Sequence, residues 1–266
     1  MKNLTLKVST ILSVLVLFSC SKDTVNETEN QGADFTKGKG EITANDLQFV
    51  GVEHNQMLAE TYNYIESVGQ DVTLERIQNN LVDNIKDNDQ YNDESNAIGI
   101  DFTNDLLKTP TESISLTGFG TSERENVYLN ELQEILNDAE FGNQEFIEKV
   151  MQLENAIAND GSFSDEQLIT LYSATQVAQY SFNYWSHNLE NWENLARRHG
   201  GTPTRSHGGD IVGGDVAGAV AGAAGAWAVN VVPGAGQVAY GGAILGGAVA
   251  GSVGVAVTKI WDWFWD

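Results

Sequence analysis

Only one cysteine, Cys20, occurs among the 266 residues, so the chain can form no intramolecular disulfide. Basic residues are also scarce, with 14 Lys and Arg against 37 Asp and Glu. The resulting formal charge of −23 repels nucleic acid and anionic head groups, which excludes a nucleic-acid-binding role. The histidines, His54, His187, His199 and His207, have no metal-ligand spacing with one another. No phosphate loop, Walker motif or Ser/His/Asp set stands out, and paired acids such as Glu123 and Glu125 carry no signal in so acidic a chain. Charge is missing altogether from Val216 to Thr258. These absences point away from an enzyme and imply no cofactor and no metal.

What is present begins with MKNLTLKVSTILSVLVLFSC. Lys2 and Lys7 give a basic start, and Ile11 to Phe18 an apolar stretch too short to span a bilayer. That is the pattern of a secretory signal peptide over residues 1–19. Its end, Leu17-Phe18-Ser19-Cys20, resembles the lipobox of bacterial lipoproteins. The resemblance implies that Cys20 is lipid-modified and becomes the first mature residue, which explains a lone cysteine in an exported chain. An ordinary signal peptide with an incidental thiol is the alternative. Two acyl chains anchor a protein stably where one is marginal. Ser21, where inner-membrane lipoproteins carry Asp, implies the outer membrane. Residues 20–45 are polar and too poor in apolar side chains to fold, so they read as a flexible tether with a hint of surface display.

Acidity concentrates in the next region. Of the 37 acidic residues, 33 lie between Asp23 and Glu193, beside eight basic ones counted from Lys22 to Lys149, while 195–266 balances four of each. A solvated surface held off a membrane is the simplest reading. Residues 46–199 repeat a helical period. Leu47, Val50, His54, Met57, Leu58, Ile65 and Val68 share one face, closed by Gly69; Thr73 caps Leu74, Ile77, Leu81 and Ile85. Ser122 to Glu125 and Ser164 to Gln167 have capping-box spacing. Apolar sets follow each: Tyr128, Leu129, Leu132, Ile135 and Leu136 after the first, and a long series from Leu168 to Leu195 after the second. Phe146, Val150, Leu153 and Ile157 mark another helix between them, and Gly200-Gly201 stops the longest. The expected fold is all-α, an acidic bundle of about five helices.

His54, on an apolar face, reads as a core histidine rather than a ligand. Phe182, Trp185 and Trp192 recur at helical spacing and read as core, with a ligand groove as the lesser option. The loop from Asn159 to Glu166 lacks the carboxylates of an EF-hand. The loop from Asp87 to Glu94 lacks its glycine and closing glutamate, which leaves only a looser calcium site open.

The linker 200–209 leads to a tail, 210–266, of a different kind. Gly214, Gly218 and Gly222 are spaced by four, and Gly242, Gly246, Ala250 and Gly254 repeat the spacing. Positions four apart lie on one helix face. A strip of small residues there lets two backbones approach closely. Pro233 and its neighbouring glycines break the two strips into a helical hairpin. From Ile211 to Val232 a helix would run about 33 Å, enough for a hydrocarbon core of about 30 Å. Arg205, Asp210 and Asp215 would precede the first helix, and Lys259, Asp262 and Asp266 would follow the second. Trp261, Trp263, Phe264 and Trp265 would suit a head-group boundary.

The tail resembles the glycine-zipper two-helix domains of outer-membrane lipoproteins and the GxxxG peptides of two-peptide bacteriocins. Together these features imply a non-enzymatic envelope lipoprotein whose hairpin inserts into a membrane or self-associates. The alternatives are a membrane-permeabilising antibacterial effector and a ligand- or calcium-binding surface lipoprotein. Packing of the hairpin on its own body, in water, is the other fate open to it.

Overall fold

A computed structural model describes residues 42–86, 115–117, 119–203, 208–229, 248–249, 252–257 and 261–262. They contain helices and no strand, and all belong to one compact unit, 33–266. The fold is all-α, as the periodicity implies. The helices are α1 (Gln48–Val68), α2 (Leu74–Lys86), α3 (Glu123–Asn137), α4 (Gln144–Asn159), α5 (Asp165–Arg198) and α6 (Gly208–Val229).

Local chemistry accounts for their ends. Gly69 stops α1 with φ +65°, a conformation that costs glycine little. Ser122 and Glu125 close a reciprocal box on α3, with Ser122 N–H donating to Glu125 Oε2 at 2.7 Å and Glu125 N–H to Ser122 Oγ at 3.2 Å. Ser164 and Gln167 do the same on α5, where Ser164 N–H meets Gln167 Oε1 at 3.0 Å. The ordered body also starts before residue 46: Ile42 is buried, and Thr43 donates through its amide and hydroxyl to Asp46. That single apolar residue and its cap are too short a pattern to stand out within a polar tether.

Helix α5, 34 residues long, is the spine of the fold, with α1, α3, α4 and α6 packed along it. Phe182 stacks on Phe146 with ring centroids 4.3 Å apart, and Trp185 and Trp192 are fully buried. The aromatic row is therefore core and not a groove.

The tail corrects one expectation: α6 begins at Gly208, so Asp210 and Asp215 lie inside the helix rather than ahead of it. Asp210 falls in the first turn, where an acidic side chain suits the helix dipole. Of the fates open to the tail, α6 takes packing on the body: Ile211, Val212, Val216 and Val220 are buried in the same apolar cluster as Leu136 and Trp185. Ala221 packs with Val255, the neighbour of Gly254 in the second strip, and with Phe119. A helix without a polar face needs cover, and here the protein buries it from Ile211 to Ala223 except at Gly213. Among the described residues, no helix is long and apolar enough to cross a membrane.

Close backbone approach explains glycine at the start of α6. A Cβ on Gly209 would sit 2.1 Å from the Leu136 carbonyl oxygen at the end of α3. Gly209→Ala is expected to cost about 1–3 kcal/mol by overpacking. Thermal denaturation measures this, and an unchanged midpoint would rule out so close a contact between α3 and α6.

Candidate functional site

A fully buried polar constellation lies where α1, α5 and α6 meet. Asp215, from the second turn of α6, is wholly buried. Its Oδ2 accepts a 2.5 Å hydrogen bond from the Ser181 hydroxyl and a 3.0 Å bond from the Trp185 indole N–H, both on α5. His54, on α1, brings Nε2 within 3.3 Å of the same oxygen, and its Nδ1 lies 3.0 Å from Asn55 Oδ1. Asn55 in turn donates to the Tyr180 carbonyl at 3.1 Å, tying α1 to α5 again. Ser181 and Trp185 sit four apart, and helical geometry points both at one carboxyl group.

Beside His54, Glu53 is also buried, and its Oε2 has no hydrogen-bond partner. Desolvation raises its acid to about 7. Asp215 Oδ1 is likewise without a partner. Serine, histidine and aspartate thus converge, but not as a nucleophilic set. The Ser181 proton is committed to Asp215 rather than to His54, and all three side chains have 0% exposure. Nucleophilic catalysis requires a hydroxyl bonded to its base and open to substrate. What this arrangement does is bind three helices to one point.

A second constellation ties the α4–α5 turn to α3. Asp160 accepts from Arg124 and, at 2.9 Å, from the Tyr128 hydroxyl through Oδ2, and from Ser162 through Oδ1. Hydrogen bonds, first from Ser162 and then from Tyr128 and Arg124, hold the Asp160 acid well below the usual carboxylate range. The carboxylate of this calcium-like loop is thus engaged by the protein's own donors. Among the described residues, no group of three or more His, Cys, Asp or Glu side chains could hold a metal ion. The Asp87 to Glu94 loop lies outside the described residues.

The zipper positions divide. Gly214, Gly218 and Gly222 are buried within α6, and Gly254 is buried in the helical segment 252–257. Trp261 is half-buried against the main core. Gly242, Gly246, Ala250, Trp263, Phe264, Trp265 and Cys20 lie outside the described residues. Sequence reasoning missed Asp215, which it treated as a flanking charge. The signal in the chain was its position four residues after Ile211, in phase with the apolar residues of a helix that carries no charge beyond it.

No family model, curated protein or solved structure matches the chain.

Proposed function

We propose that the protein is a lipid-anchored cell-envelope protein without catalytic activity, in which acyl chains on Cys20 tether an acidic helical body at an outer membrane. On this reading the zipper strips serve the body's own core. The observation that carries it is the burial of α6 from Ile211 to Ala223, Gly213 excepted, with Asp215 sealed beneath it. A helix meant for lipid gains nothing from a buried carboxyl group held by two neighbouring donors, whereas a core helix gains orientation from it. The anchor rests on Leu17-Phe18-Ser19-Cys20 and on the absence of any other cysteine. Self-association through the first strip is disfavoured, because Gly214, Gly218 and Gly222 already face protein.

Fractionation tests this. Wild-type protein should incorporate labelled palmitate and stay with membranes through alkaline carbonate, while Cys20→Ala should lose the label and be released completely. Retention of Cys20→Ala after carbonate would overturn the core role of the zipper in favour of insertion.

The uncharged course of α6 beyond Asp215 favours one rival, a membrane-permeabilising effector. It requires α6 to leave the body and strand Ser181 and Trp185 without their common acceptor. Dye-loaded vesicles distinguish the two: the full mature chain should cause no leakage if the proposal holds.

A further inference from the structure

A groove with an apolar and a polar half opens on the face of the molecule where the chain enters the body. It consists of two adjoining cavities, of about 400 and 530 Å³, that share Ala44, Asn45 and Glu154. Tyr172 lines the first, and Gln48 and Tyr180 line the second. Glu154, on α4, stands at the junction.

Its carboxylate is held unusually firmly. Oε1 accepts three hydrogen bonds of 2.8 Å, from Thr175 Oγ1, Gln176 Nε2 and Gln179 Nε2, all on α5. One oxygen is therefore saturated by the protein and fixes the group's orientation, which leaves Oε2 for whatever enters the groove. Among the described residues, no lysine, arginine or histidine lines either cavity, and the only other carboxyl group there is that of Asp160. Asp160 is already engaged by Arg124, Tyr128 and Ser162.

The rest of the wall is neutral. Asn45, Gln48 and Asn183 supply amides, and Gln48 donates to the Tyr180 hydroxyl at 2.6 Å. Burial raises the Glu154 acid despite its three donors, so a positive charge beside it would relieve a cost already present in the fold.

We propose that this groove binds an alkylammonium group, with Glu154 Oε2 as its counter-ion and the surrounding amides and tyrosine rings accepting the N–H groups and covering the alkyl chain. A preset carboxylate suits a compact ammonium with several donors, and ring faces attract cations and their methylenes alike. The same chemistry is carried by free polyamines and by lysine side chains of a peptide. The claim is independent of the lipid anchor and would stand if that reading failed.

Titration calorimetry on the mature chain at about 0.15 M salt tests it, because long-range attraction by the acidic surface is largely screened there. The probes are spermidine, a Gly-Lys-Gly peptide with blocked ends, and the same peptide with norleucine for lysine. Glu154→Gln keeps an acceptor for Thr175, Gln176 and Gln179 while removing the charge. Glu148→Gln removes an equal charge from an exposed position on the same helix. Saturable binding of spermidine or the lysine peptide should weaken at least about tenfold in Glu154→Gln and remain unchanged in Glu148→Gln. Which of the two binds tighter identifies the source of the ammonium. Equal loss in both variants, equal binding of the norleucine peptide, or no saturable binding would each overturn the proposal. Should Glu154→Gln fail to fold, chemical-shift changes on wild-type Gln176 and Gln179 amides decide the matter: their absence at saturating spermidine refutes the site.

Discussion

Asp215→Ala is expected to cost about 3–5 kcal/mol, the range found when one member of a buried polar or ionic pair is removed. The side chain is the common acceptor for two buried donors on α5. Without it the Ser181 hydroxyl and the Trp185 indole N–H, both at 0% exposure, lose their acceptor, and His54 Nε2 loses its neighbour at 3.3 Å. Each buried donor left unsatisfied costs about 1–3 kcal/mol, and the space vacated by the carboxyl group adds a cavity term. For a chain of this size each kcal/mol moves the melting midpoint by about 2–4 °C, so a drop of roughly 6–20 °C should be seen. Asp215→Asn keeps an acceptor and should lose less. A double variant, Asp215→Ala with Ser181→Ala, should lose less than the sum of the two, since residues in one network are not additive. A midpoint within about 2 °C of wild type for Asp215→Ala would show that the carboxyl group does not fasten α6.

Most of the body was legible in the sequence because its helices are amphipathic and their ends are chemically marked. Ser122 with Glu125, Ser164 with Gln167, Gly69 and Gly200 all occupy the terminal positions that their types suggest. The burial of His54, Trp185 and Trp192 followed from phase alone. The tail was not legible in the same way, for a physical reason. Periodicity identifies a buried face by contrast with a polar one, and α6 has no contrast to offer. A helix that is apolar all round is equally suited to lipid and to a protein core. Only Asp215 separates the two, since a carboxyl group in the second turn needs donors that only packed helices supply. Reading it as a charge ahead of the helix removed that clue. Glu154 was hidden differently: its three donors, Thr175, Gln176 and Gln179, belong to another helix, and no spacing in the chain relates α4 to α5.

Glu53 gives the second large effect, and its sign runs against habit for a carboxyl group. Burial raises its acid from 4.5 to about 7, so the folded state holds the proton more tightly than the unfolded chain. Stability from this residue is thus fully present below pH 4.5 and is lost as pH rises toward 7. Above that, both states are ionised and the loss is complete. Each tenfold difference in proton affinity between the two states is worth about 1.4 kcal/mol, which makes the loss about 3 kcal/mol. The unpartnered Oε2 locates the cause, because no hydrogen bond offsets the transfer of charge out of water. Glu53→Gln cannot ionise, so it should flatten this component of the profile. Its absolute stability includes an amide placed where Oε2 now lies, so the informative quantity is the difference between variant and wild type as a function of pH. Stabilities from urea unfolding at pH 4.5 and pH 8 should move apart by about 3 kcal/mol in favour of the variant at the higher pH. Parallel profiles for the two proteins would mean that Glu53 finds water or a partner in solution, and that the α1 face beside His54 is not sealed.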